Sequence, residues 1–66
     1  MELQEAERLF RRVYPSEANR ICARQVVLNK CLFGVESIEG HLWYIVSDGS
    51  ISPVYHSIED ALETLI

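Results

Sequence analysis

Four residues of this chain are of the kind that binds metal ions: Cys22, Cys31, His41 and His56. A zinc site needs four such groups to converge, usually drawn from two close sequence pairs such as C-x2-C. Here the successive spacings are nine, ten and fifteen residues, and no pair sits on a knuckle turn. The expectation is therefore two core cysteines and two strand-end histidines, with no metal and no cofactor. A thiol could instead act as a nucleophile, given a base and a lowered pKa. Cys31 and His41 fall on adjacent predicted strands, but no third orienting group or oxyanion donor accompanies them. Acid–base work by paired carboxylates needs a cleft. Glu59, Asp60 and Glu63 lie instead along the outer side of a predicted terminal helix, as a solvated acidic face. The three glycines all fall in or near turns and cannot build a phosphate-cradling loop, and no G-x-S-x-G is present. The chain is expected to be non-enzymatic.

Its charges are more informative. All six lysines and arginines lie in the first thirty residues: Arg8, Arg11, Arg12, Arg20, Arg24 and Lys30. Four glutamates oppose them there, for a balance of about +2, while residues 31–66 carry six carboxylates and no cation, about −6. Two electrostatically different ends imply a charged partner. Arg8, Arg12, Arg20 and Arg24 could together meet a phosphate backbone or an acidic protein groove. The net charge of −4 and a pI near 5.0 weigh against nucleic acid. Arg11 is also matched by Glu7 at i, i+4.

The aromatic residues Phe33, Trp43, Tyr44 and Tyr55 could stack on bases, but their half of the chain lacks the cations that single-strand binders use. Side chains alternate along a strand, so Trp43 shares a face with His41 and Ile45, and Tyr44 shares one with Leu42 and Val46. Helices are expected to cover one of these faces and leave the other open as an apolar interface.

The elements that must position these residues follow from periodicity and turn chemistry. Leu3, Ala6, Phe10, Val13 and Tyr14 recur at helical spacing and predict an amphipathic helix over 2–14, stopped by Pro15. Ser16 could cap a second helix. Residues 17–29 are apolar on all sides, which favours a buried helix, although Val26-Val27 leaves a strand open. Strands are predicted over 31–36, 41–47 and 51–56. Asp48-Gly49 forms the second hairpin, and Pro53 marks its return strand as an edge. Ser57-Ile58-Glu59-Asp60 has capping-box form and starts a short final helix through Ile58, Ala61, Leu62 and Leu65. The predicted class is α+β, ordered ααβββα, with helices on one face of a three-stranded antiparallel meander. The Trp43–Leu65 stretch is too common a pattern to name a family.

Sixty-six residues make one small domain. Hydrophobic content of 48% with 24% charge is that of a folded chain. A core this small often leans on a second subunit or a larger partner. No apolar run reaches the roughly 18 residues that span a bilayer. The acidic start Met1-Glu2-Leu3-Gln4-Glu5 is unlike a signal peptide, so a cytoplasmic location is expected.

These readings converge on a small acidic protein–protein interaction module, regulatory, inhibitory or adaptor in role, of a kind that includes phage-type inhibitors. Trp43, Tyr44, Leu42 and Val46, or the neighbouring sheet edge, would supply affinity. Glu59, Asp60 and Glu63 would supply orientation. A homodimer through the same sheet is the simplest special case. The alternatives are nucleic-acid binding by the arginine-bearing helices, and an acidic mimic of nucleic acid that fills a basic protein groove.

Overall fold

The computed structural model describes residues 2–66. Its first helix, α1 (Leu3–Val13), buries Ala6 and Phe10 completely, with Leu3, Leu9 and Tyr14 packed beside them. Arg11 and Arg12 lie in the last turn, where the helix dipole favours cations. Ahead of Pro15 the chain leaves helical geometry, with Tyr14 at φ −129° and ψ 70°. A single turn, α2 (Pro15–Ala18), follows with proline at its start, where a missing N–H does no harm.

The second helix goes no further, which corrects the helical reading of 17–29. Ile21–Val27 is instead a strand, β1, paired antiparallel with β2 (Lys30–Ser37). The β-branched Ile21, Val26 and Val27 favour this pairing. The turn between the strands, Leu28-Asn29, has φ of 51° and 65°. Positive φ at both central residues matches the twist of a two-residue hairpin. Asn29 suits that conformation, whereas Leu28 is strained in it.

β3 (Gly40–Ser47) pairs with β2 from Cys31↔Val46 to Ser37↔Gly40. Asp48-Gly49, both at positive φ, turn the chain into β4 (Ser50–Ile51). The predicted return strand over 51–56 is thus much shorter, because Pro53 has no N–H to give the ladder. At Ser52 the chain still bonds to β3, its N–H donating to the Ile45 carbonyl at 2.8 Å and its hydroxyl accepting from the Ile45 N–H at 2.9 Å. Tyr55 then rejoins β3 by a reciprocal pair of backbone bonds with Trp43 of 2.8 and 2.9 Å. Ser57 caps α3 (Ile58–Leu65), its hydroxyl accepting from the Asp60 N–H at 3.2 Å.

The sheet order is β1-β2-β3-β4, a meander with one more strand than expected. Two clusters sandwich it. On one face, Cys31, Phe33, Val35, Tyr44 and Val46 pack against Ala6, Phe10 and Ala18. On the other, Leu32 and Ile45 meet Ala61 and Leu65, with Trp43, Tyr55, Ile58 and Leu62 around them. Helices therefore cover both faces, not one. The sequence carries the sign of this in the unbroken apolar run Cys31-Leu32-Phe33-Gly34-Val35, all five buried. A strand covered on both sides has no polar face to alternate with.

Candidate functional site

With both faces covered, two of the four predicted interface residues on β3 are core. Tyr44 and Val46 are 6% and 0% exposed beneath α1, and Leu42 packs at the margin of the same cluster. Burial also pushes the Tyr44 hydroxyl above its usual pKa. Trp43 points the other way and is only half-buried. Tyr44 and Val46 therefore cannot meet a partner without unseating α1. Glu59, Asp60 and Glu63 are exposed on the outer side of α3.

The arginines do not form one basic surface. Glu7 on α1 gathers two of them. Arg24 of β1 donates to its carboxylate from Nε at 2.6 Å, and Arg11 donates from Nη2 at 3.3 Å. Arg20 reaches Glu17 at 4.0 Å and donates to the backbone carbonyl of Glu36 at 3.0 Å. Arg8 and Arg12 are exposed and make no ion pair among the described residues.

The hydrogen bond from Arg24, only partly opposed by burial, holds the Glu7 carboxyl below its usual range, and Arg24 is held above its own by the same bond. A lowered folded-state pKa stabilises the fold above the unfolded value of about 4.5, and that contribution disappears as pH falls through the folded value. Both partners are partly exposed, so solvent screening limits the pair to a few tenths of a kcal/mol, roughly. Urea midpoints of wild type and Glu7→Gln should differ slightly at neutral pH and converge in acid. A gap that widened in acid would contradict this assignment.

Of the four metal-ligand candidates, the fold separates one expected couple and brings together another. Cys31 sits opposite Val46, whereas His41 sits opposite Glu36 at the far end of β3 and on the other face. Burial raises the Cys31 thiol's pKa, which opposes a nucleophilic role. His56 lies in the segment leading to α3, lining a shallow groove with Arg20 and Leu42. Cys22 lies on β1, and its thiol stands within 4.8 Å of a ligand atom of both His41 and Glu36. This cluster was hidden in the sequence by the helical reading of 17–29, which separates Cys22 from the strands.

The fold also leaves one long sheet edge open. β1 occupies the end of the strand order and spans seven residues. Val26 on it is 53% exposed, and Leu28 at its tip is 66% exposed. From Ala18 to Val35 the chain carries Arg20, Arg24 and Lys30 and no carboxylate. No helix among the described residues is long and apolar enough to cross a membrane. No protein-family model, curated protein or solved structure matches the chain.

Proposed function

We propose that this chain is a non-enzymatic protein-interaction module whose β1 edge accepts an extended, acidic segment of a larger protein. The observation that carries this reading is the edge itself. Native sheets usually blunt an open edge with proline, a lysine or a cover. β1 has no proline, its one cation is tied to Glu7, and its register shift lies only at its start. Leu28 adds a second argument. A left-handed leucine is strained by about 1 kcal/mol, and at 66% exposure it packs little inside the fold. An apolar side chain kept in such a place suits contact with another molecule. Strand addition would supply backbone hydrogen bonds, with Val26 and Leu28 as apolar anchors. Lys30, in no ion pair among the described residues, favours a carboxylate on the incoming strand. By occupying such a segment, the module would act as an adaptor or inhibitor of the assembly that owns it.

The test is selection from a displayed library of random peptides, followed by amide hydrogen exchange. Enriched sequences should alternate apolar and acidic residues and should slow exchange along β1. The double variant Val26→Lys, Leu28→Asn should lose this binding and stay folded, since asparagine relieves the strain at residue 28. Binders that protect α3 instead, or that survive the double variant, would move the site elsewhere. Light scattering that shows a wild-type dimer dissolved by the same variant would replace the partner with a second copy. Retention on nucleic acid that is lost in Arg8→Glu, Arg12→Glu would transfer the function to α1.

A further inference from the structure

The geometry points to a surface site for a zinc-class divalent ion formed by Cys22, Glu36 and His41. The thiol, a carboxylate oxygen and an imidazole nitrogen lie within 4.8 Å of one another. Neighbours in a tetrahedral zinc shell stand about 3.3–3.6 Å apart, so closure needs shifts of about 1 Å. All three side chains are exposed, so small rotations can supply that movement without disturbing the core.

Three features of the backbone aim these residues at one point. Glu36 and His41 are direct cross-strand partners on β2 and β3. Such pairs hold their Cβ atoms about 4.5–5.5 Å apart. On β1, Ile21 pairs with Val35 and Ala23 with Gly34, so Cys22 is the extra residue of a bulge. Bulges re-aim side chains and recur beside functional sites. Arg20 fixes the Glu36 backbone. Its carbonyl accepts from the Glu36 N–H at 3.0 Å, and its Nε donates to the Glu36 carbonyl at 3.0 Å. Glu36 is thus held between its β3 partner His41 and Arg20, the residue before β1.

The donor set selects the ion. Magnesium and calcium take oxygen ligands, and a thiolate with an imidazole does not suit them. Sulfur, nitrogen and oxygen together suit zinc and its neighbours among the divalent transition metals. Three protein ligands leave a fourth position for water or for a group from another molecule. Binding must displace protons from the thiol and compete for them at the imidazole, so affinity falls as pH is lowered. This site is independent of the β1 edge reading.

The experiment is zinc titration of the untagged chain against a chromophoric chelator, with cobalt(II) absorption as the second readout. One ion per chain is expected, with thiolate-to-cobalt charge transfer and a tetrahedral visible spectrum. Cys22→Ser and His41→Ala should each weaken zinc by about 100-fold, the upper end of what losing even a supporting contact does. Both variants should keep the wild-type circular dichroism, because neither side chain is in the core. His56→Ala should bind as wild type does. Wild-type affinity no greater than that of Cys22→Ser would overturn the site, as would loss of binding in His56→Ala.

Discussion

Phe10→Ala is expected to leave the chain largely unfolded at room temperature. Phe10 is wholly buried, and its ring lies 5.5 Å from Phe33, 4.9 Å from Tyr44 and 5.6 Å from Tyr14. The only other fully buried side chain of α1 is the small one of Ala6. Truncating a core phenylalanine removes about 3–5 kcal/mol. At about 0.05–0.15 kcal/mol per residue, a chain of this length has roughly 3–10 kcal/mol in total. One substitution therefore removes between about a third and all of the stability. The mode of failure is specific. Without its anchor α1 lifts away, the Glu7–Arg24 tie between helix and β1 is lost, and Phe33, Tyr44 and Val46 face water. Urea unfolding should show a midpoint near zero denaturant, with a hydrophobic dye bound in buffer alone. A loss below about 1.5 kcal/mol would mean that the sheet and α3 hold without α1, contrary to the packing at Phe10.

The same packing explains what could and could not be read from the residues alone. α1 was legible because its apolar positions follow a single period and Pro15 ends it. Asp48-Gly49 and Ser57 were legible because one side-chain type favours one local geometry. β1 was not legible. Ile21, Gln25 and Leu28 sit at helical spacing by coincidence, and the bulge at Cys22 breaks the alternation that identifies strands. The turn after it was masked by Leu28, which occupies a conformation that leucine disfavours. A helix over 17–29 would leave no open β1 edge and would keep Cys22 off the strand that brings it near His41. Even a correct strand would not have located Cys22, because the bulge that turns it has no reliable marker in composition. Tyr44 and Val46 are core for a different reason. Both faces are covered: α1 packs over Tyr44 and Val46 through Ala6 and Phe10, and α3 packs over Ile45 on the other side. The acidic residues on α3 were placed correctly on the surface, because a charged run on one helix side has nowhere else to go.

Gly34→Val is expected to destabilise the fold by about 2–3 kcal/mol, toward the upper end for an overpacked site. Gly34 has no unusual backbone angle, unlike Gly40 and Gly49. Its lack of a side chain is used for space. A Cβ at this position would stand 2.6 Å from Cζ3 and 2.9 Å from Cη2 of Trp43, and 3.1 Å from Cβ of Ala23. The indole thus lies across the β2 backbone, between β3 and β1. It cannot retreat with its own backbone, because Trp43 is paired to Gly34 on one side and bonded twice to Tyr55 on the other. The ring must swing outward, into water or toward His41, whose ring is 6.1 Å away. Valine's preference for strands does not offset the lost contact, since that preference spans only about 1 kcal/mol. The chain has one tryptophan, so its fluorescence reports this movement directly. The variant should emit at longer wavelength while still folded and should unfold at lower urea. Its zinc affinity should also change, because the displaced indole reaches the ring that supplies the nitrogen ligand. Unchanged emission with an unchanged midpoint would show that the indole does not rest on Gly34. A lower midpoint with unchanged emission would place the strain on the Ala23 side, between β1 and β2.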